Sequence, residues 1–120
     1  MEVKKRQAVS GVDINLKQAW ETYGNGSHDT IVAMIDTGID DTHEDLKDTL
    51  WVNTDEIPGN GIDDDGNGYV DDRYGWNFYN NTNQIFNGNE DSHGTHGAGT
   101  ISAGTGNGIG ISGIVPGNRV

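Results

Sequence analysis

The sequence has no cysteine, few basic residues and no long hydrophobic run. Without cysteine, the chain has neither a disulfide framework nor thiol chemistry. It has 7 Lys and Arg residues against 19 Asp and Glu, a formal net charge of −12, which argues against a nucleic-acid or anionic-membrane partner. No segment approaches the ~20 consecutive apolar residues of a membrane span. No apolar run follows the charged first residues, so no signal peptide is expected.

The 120 residues are about the length of one domain, and 19 of them are glycine, which predicts many tight turns. Residues 1–11 are polar and predict an extended or frayed N-terminal arm. Asn15 and Gln18 fit the capping box of a short surface helix that starts at Leu16 and ends before residues 24–26, with Trp20 as its core anchor.

Three further segments carry a structural signal. The β-branched run Thr30–Asp36 predicts a parallel strand that is buried on both faces and ends in a carboxylate. Tyr74–Phe78 alternates large and small residues and predicts a short strand. The small-residue stretch from His93 to about Ala103 predicts a helix that packs closely and carries an imidazole in its first turn.

The acidic segment 63–72 fits the register of a calcium-binding loop. Oxygen ligands are expected at its first, third, fifth, seventh and ninth positions, the seventh through a backbone carbonyl: Asp63, Asp65, Asn67, Tyr69 and Asp71. Gly68 lies at the sixth position, where the loop must turn sharply. Tyr74 occupies the twelfth position in place of a bidentate glutamate, so Asp72 is a candidate for the last ligand. The alternative is an acidic turn that binds no ion, although clustered carboxylates without a cation repel one another.

His93 admits three interpretations. A zinc site could use His93 and His96, but zinc requires further ligands, and the glutamate of the HExxH motif is absent. A structural histidine would not need so many neighbouring glycines. The third interpretation is general base catalysis, with Asp36 holding the imidazole in one tautomer and stabilising the imidazolium.

Two motifs together resemble the subtilisin-like serine proteases, the subtilase family. They are TIVAMIDTGID at 30–40 and HGTHGAGT at 93–100, and the likeness extends over about residues 12–120. It implies a three-layer α/β parallel-sheet fold, incomplete in this chain, with a calcium-loop insertion at about 53–90. It also implies that Asp36 is the triad aspartate, His93 the general base, and His96 a residue that supports the helix.

The resemblance implies a second calcium site as well. Its ligands would be Asp45, Asn107 and the carbonyl groups of Ile109 and Ile111. The chain departs from the family at Gly97, where an apolar residue is usual. The family's nucleophile lies in a Gly-Thr-Ser-Met-Ala stretch that these residues do not contain, and Ser92, Ser102 and Ser112 lack that context.

The sequence therefore predicts the N-terminal part of a calcium-dependent serine endopeptidase that cleaves polypeptides and is inactive as an isolated chain. The expected cofactor is Ca²⁺, the expected partner is a polypeptide substrate, and neither a nucleic acid nor a membrane is expected. By resemblance, its location would be extracellular or in the cell envelope. The alternative is a non-enzymatic calcium-binding module or a degenerate protease relic.

Overall fold

A computed structural model describes residues 9–120 of the chain, so the predicted arm at residues 1–11 lies mostly outside the described part. Helix α1 spans Leu16–Tyr23 and helix α2 spans Ser92–Ser102, with a 3₁₀ turn at Asn89–Asp91 directly before α2. Two isolated β-bridges are present: Ile31 pairs with Arg119 in parallel, and Asn77 pairs with Thr82 in antiparallel orientation.

Helix α1 is the predicted surface helix, and none of its residues is buried. Gly24 ends it with a positive φ of 79° and donates its N–H to the carbonyl of Trp20 at 2.9 Å. The predicted capping box is wrong, because Asn15 is itself left-handed (φ 56°) and its side-chain amide donates to the side chain of Gln18. Trp20 is half-buried, lies outside the buried core, and anchors the helix by donating its indole N–H to the carbonyl of Ile114 at 2.7 Å.

The predicted strand Thr30–Asp36 is reduced to one bridge. Residues 119–120 lie between two segments of the chain: Val32 donates to the carbonyl of Arg119 at 2.8 Å, and Trp51 donates to that of Val120 at 2.7 Å. Ile35 is 99% exposed, so the expected burial on both faces is wrong for the described residues. The physical reason is that the segment has one extended neighbour, and a strand needs a neighbour on each side to become central in a sheet.

The second predicted strand, Tyr74–Phe78, is also not formed. Only Asn77 pairs, with Thr82, across a turn at residues 78–81. Two backbone hydrogen bonds at 2.8 and 3.2 Å close this turn. An isolated two-stranded hairpin is only marginally stable in water, which accounts for its short length.

The buried core is small and contains Leu46, Leu50, Ala98, Ala103 and Val120. Helix α2 reaches it because its inward positions are small: Ala98 and Ser102 are fully buried. Half-buried side chains pack around this core, two from the segment before Asp36, one from α2 and two from the loops between them: Val32, Met34, Ile101, Ile39 and Tyr74. The core therefore connects the end of segment 30–36 with α2, the two elements that carry Asp36 and His93.

The three-layer architecture is not seen within residues 9–120, which contain two α-helices and isolated bridges. No helix in this part of the chain combines the length and the apolar character that crossing a membrane requires.

Candidate active site

Asp36 and His93 are in direct contact. The Nδ1 atom of His93 lies 2.9 Å from Oδ1 and 3.0 Å from Oδ2 of Asp36. The Asp36 side chain is 21% exposed and that of His93 is 82% exposed. The carboxylate is thus held against the protein, while most of the imidazole remains accessible to a reacting molecule.

The carboxylate of Asp36 is stabilised in its ionised form. The backbone N–H of Thr37 donates to Oδ1 at 2.6 Å, and together with the contact to His93 it lowers the pKa of Asp36 below its ordinary value. An ionised Asp36 accepts the Nδ1–H of His93 and leaves Nε2 free to accept a proton. This is the arrangement of a histidine base with an orienting carboxylate.

The loop that carries Asp36 is docked directly on the first turn of α2. Gly94 donates its backbone N–H to the hydroxyl of Thr37 at 3.2 Å, and Asp40 donates its own to the hydroxyl of Thr95 at 2.9 Å. A Cβ atom built on Gly94 would overlap the carbonyl oxygen of Gly38. The glycine at the helix start therefore allows the close approach that brings His93 to Asp36.

The three glycines of α2 predict three different outcomes on replacement by alanine. Gly99→Ala has open space, so it should gain about 1 kcal/mol from helix propensity. Gly97→Ala should gain somewhat less, because its Cβ would lie 2.9 Å from the flexible Cε of Met34, which must move. Gly94→Ala should destabilise the chain, since it meets rigid backbone. Thermal unfolding of the three variants tests this order, and equal stability of Gly94→Ala and Gly99→Ala would contradict the proposed close approach.

The zinc interpretation of His93 finds no support in the described residues. The one group of three metal-ligating side chains among them is elsewhere, and it contains neither His93 nor His96. His96 lies one turn further along α2 and is exposed. Zinc sites need three or four protein ligands, so His93 with its single carboxylate partner fits proton transfer better.

No serine among the described residues is hydrogen-bonded to His93. Ser102 is fully buried and donates its hydroxyl to the carbonyl of Ala98 at 3.4 Å. Ser112 donates to the carbonyl of Gly113, and Ser92 is the exposed first residue of α2. Asp36 is the one side chain in this part of the chain that hydrogen-bonds to His93.

The acidic loop brings together three carboxylates that only partly match the expected register. One oxygen each from Glu56, Asp65 and Asp72 lies within 4.8 Å of the others. Glu56 is 4% and Asp72 is 8% exposed. Asn53 donates its side-chain amide to Asp65 at 3.0 Å and to Asp72 at 2.9 Å. The hydrogen bond from Asn53 to Asp65 lowers the pKa of Asp65. Carboxylate oxygens are the ligand type that hard cations prefer, and the side-chain amide of Asn67 also donates to Asp65 and Asp72.

The remaining predicted ligands of this loop have other contacts. Asp71 is left-handed (φ 55°), and its carboxylate accepts the backbone N–H groups of Gly59 at 2.7 Å and Gly61 at 2.9 Å. Asp63 accepts those of Asn67 at 3.0 Å and Gly68 at 2.8 Å. These two carboxylates order turns of the loop and do not belong to the group of three.

Sequence reasoning missed Glu56. It lies 7 residues before Asp63, outside any register counted forward from the loop. Its carboxylate accepts the backbone N–H of Asp64 at 2.8 Å and of Asp71 at 2.9 Å. A glutamate followed by a polar, glycine-rich loop is a common pattern, so no local sequence signal marks Glu56 as a member of the carboxylate group. Asp72 could be considered from the sequence, because it lies at the end of the loop.

Tyr69, the predicted seventh position of the loop, connects the loop to the Asp36 region. Its ring lies 5.1 Å from that of Trp76 and 5.8 Å from that of Phe78, measured between centroids. Trp76 and Asp36 together line a cavity of about 110 Å³. The aromatic contacts therefore connect the acidic loop to the cavity that Trp76 and Asp36 line.

The residues of the second predicted ligand set lie around a buried carboxylate, and the contacts of the two isoleucines there are made by their N–H groups. Asp45 is 5% exposed and accepts the side-chain amide of Asn107 at 2.8 Å and the backbone N–H of Ile111 at 3.1 Å. The side-chain oxygen of Asn107 accepts the N–H of Ile109 at 3.1 Å. Asp45, Asn107, Ile109 and Ile111 are thus neighbours, although they lie up to 66 residues apart in the sequence.

Comparison with known proteins relates these residues to one family. A sequence profile described as the Subtilase family matches residues 27–120. Subtilisin-like protease 1 of Plasmodium berghei (strain Anka) is 43% identical over 97 residues, which are 80% of this chain and 16% of that protein. Subtilisin-like protease 1 of Plasmodium vivax is 50% identical over 86 residues, 71% of this chain and 13% of that protein. The protein of the same name in Plasmodium falciparum (isolate 3D7) is 49% identical over 71% of this chain and 12% of its own length. The chain therefore spans between 12 and 16% of the length of these relatives.

Proposed function

Because the chain belongs to the subtilase family, we propose that Asp36 and His93 are two members of the catalytic triad of a serine endopeptidase. The observation that carries this proposal is the contact of 2.9 Å between Nδ1 of His93 and the carboxylate of Asp36. The family has an α/β fold; we further propose the three-layer parallel sheet, with segment 30–36 as one of its strands.

In the proposed reaction, each residue has one role. His93 accepts the proton of the serine hydroxyl at Nε2 while the serine oxygen attacks the carbonyl carbon of the scissile peptide bond. It then transfers that proton to the departing amine. Asp36 stays ionised, accepts the Nδ1–H throughout and stabilises the imidazolium. The lowered pKa of Asp36 suits this role, because a carboxyl group that remains ionised keeps its hydrogen bond to His93.

A polypeptide substrate is the partner that the site favours. An open cleft of about 620 Å³ adjoins the dyad and is lined by Asp36 together with the exposed rings of Phe78 and Tyr79. Exposed aromatic side chains provide apolar contact area for the side chains of a bound peptide. The cleft lies on the side of Asp36 that faces the hairpin at residues 77–82.

The isolated 120-residue chain should be inactive, since none of its described serines is hydrogen-bonded to His93. A fluorophosphonate probe labels a serine only when a neighbouring base activates it. The purified chain should therefore not be labelled. Covalent labelling of Ser92, Ser102 or Ser112 that disappears in the His93→Ala variant would contradict this expectation and would identify the nucleophile within the chain.

We also propose that the acidic loop binds Ca²⁺ through Glu56, Asp65 and Asp72, with Asp45 and Asn107 as the centre of a second site. The chemistry of the donors supports this: the oxygens of three carboxylates approach within 4.8 Å, and Glu56 is almost fully buried. A bound divalent cation would neutralise the mutual repulsion of these groups. Calcium-dependent folding would suit an extracellular or cell-envelope location, where calcium is abundant.

The cluster of Glu56, Asp65 and Asp72 also fits one alternative function, that of a calcium-binding module without catalysis. The sequence of the reading frame that encodes these residues distinguishes the two functions. A Gly-Thr-Ser-Met-Ala stretch in the same frame would favour the protease, because it would supply the nucleophile. Calcium binding in a frame without such a stretch would favour the module.

A further inference from the structure

The chain contains five Asn-Gly dipeptides, four of them in an identical Gly-Asn-Gly triplet. The triplets are centred on Asn25, Asn60, Asn67 and Asn107. An asparagine before glycine is open to attack by the next backbone nitrogen, because glycine has no Cβ to hinder the approach. Since the flanking residues are the same in all four, any difference in reactivity must come from the folded structure.

Two of the four triplets are held by carboxylates. The backbone N–H of Gly68, which would have to attack Asn67, instead donates to Asp63 at 2.8 Å. The N–H of Gly61, next to Asn60, donates to Asp71 at 2.9 Å. These bonds direct the nitrogen away from its own asparagine side chain and must break before it can react.

The asparagine side chains of these two triplets are also held. Asn60 donates its amide to Asp64 at 2.9 Å, and Asn67 donates its amide to Asp65 and Asp72, each at 3.1 Å. Both the attacking atom and the attacked group are therefore restrained at these sites.

Asn25 is the contrasting case. It is exposed, and among residues 9–120 neither its side chain nor the backbone nitrogen of Gly26 has a hydrogen-bond partner. Asn107 is intermediate: its side chain is bound to Asp45 at 2.8 Å and to the N–H of Ile109 at 3.1 Å, while Gly108 has no partner for its nitrogen within the described part of the chain.

We propose that Asn25 is a site of spontaneous deamidation, with water as the co-reactant. The backbone nitrogen of Gly26 attacks Cγ of Asn25. A new C–N bond forms, the Cγ–Nδ2 bond breaks, and ammonia leaves with the proton from the glycine nitrogen. The resulting succinimide ring is opened by one water molecule at either of its two carbonyl groups, which yields aspartate or isoaspartate and adds one negative charge.

The location gives this modification a structural consequence. The carbonyl of Asn25 accepts the backbone N–H of Gly117 at 2.8 Å, and Ser27 donates to the side chain of Asn118 at 2.9 Å. Isoaspartate lengthens the backbone by one methylene group at this point. It should therefore loosen the contact between residues 25–27 and 117–118, next to the bridge between Ile31 and Arg119.

A timed incubation of the purified chain at mildly alkaline pH, followed by peptide mapping with mass spectrometry, tests the proposal. Asn25 should convert first, and Asn60 and Asn67 should convert at least about tenfold more slowly, the factor that corresponds to breaking a hydrogen bond worth roughly 1.4 kcal/mol. The control is the same chain in concentrated urea, where all four triplets should convert at similar rates. Conversion of Asn60 or Asn67 as fast as Asn25 in the folded chain would overturn the proposal.

Two variants test the reaction at Asn25 and the protection of Asn67 separately. Asn25→Gln should abolish the early product and leave the other sites unchanged. Asp63→Ala removes the acceptor of the Gly68 N–H, so Asn67 should convert faster while Asn25 keeps its rate. If Asp63→Ala leaves the rate at Asn67 unchanged, the carboxylate does not protect that site, and the structural basis for the selectivity of Asn25 is wrong.

Discussion

Replacing Asp36 with asparagine in the proposed protease is expected to lower kcat by about 10⁴-fold, the effect typical of this change in a serine–histidine–aspartate triad. The substitution keeps the size of the side chain, but the neutral amide no longer enforces the Nδ1–H tautomer of His93 and no longer stabilises the imidazolium. KM should change little, because the interaction is made mainly in the transition state.

The matched control is Asp41→Asn, which removes a nearby carboxylate that makes no hydrogen bond within the described residues. It should leave kcat within a factor of about 3, as expected for a substitution outside the reacting groups. The 120-residue chain offers a second measurement that needs no activity. The ¹⁵N resonances of the His93 ring should report a protonated Nδ1 in the native chain and a changed tautomer ratio in Asp36→Asn. Full activity of the variant, or an unchanged tautomer ratio, would refute the role of Asp36.

Removing calcium is expected to cause the largest loss of stability. At a calcium concentration about a hundredfold above Kd, binding would add about 2.7 kcal/mol to the free energy of unfolding. For a chain of this length, that corresponds to roughly 10 °C in Tm. The physical reason is that Glu56, Asp65 and Asp72 hold three negative charges within 4.8 Å, and two of these side chains are almost fully buried. Thermal unfolding with calcium and with an excess of chelator measures the effect.

The control for calcium binding uses two glutamates in different surroundings. Glu56→Gln should remove most of the calcium-dependent shift in Tm, because it neutralises the buried ligand. Glu21→Gln, on the exposed surface of α1, should retain it. Titration calorimetry and the fluorescence of Trp76, whose ring lies 5.1 Å from that of Tyr69, provide independent readouts of binding at the loop. A Tm that does not respond to chelator, together with no heat of binding at millimolar calcium, would exclude the site.

Local patterns predicted the two helices well. Helix α2 was expected from His93 to about Ala103 and spans Ser92–Ser102. Helix α1 begins at Leu16 and is capped by Gly24 as expected. Both predictions depend on interactions within a few residues, such as helix propensity and a glycine with positive φ at a helix end. The capping box failed because it required one particular conformation at Asn15, and the left-handed one was adopted.

Predictions that required distant partners succeeded less often. The strand at 30–36 is an apolar run whose form depends on neighbouring strands, and within the described residues it has one such neighbour. The loop register included Asp65, which lies in the group of three carboxylates, and it considered Asp72 but not Glu56. A glycine-rich loop folds back on itself in many ways, so the spacing of its residues does not determine which of them meet.

The sequence by itself determined the family, because the Asp36 and His93 motifs are short, specific and surrounded by the small residues that close packing requires. It also supplied the carboxylate and the imidazole that lie in contact in the folded chain. The tertiary structure decided which carboxylates lie close together and that Asp71 binds the turn at 59–61. It also decided that, within residues 9–120, Asn25 is the one among four identical triplets whose side chain and following nitrogen both lack a hydrogen bond. The reason is physical: composition and spacing set the chemical groups, whereas hydrogen bonds between residues far apart in the chain depend on the path of the backbone.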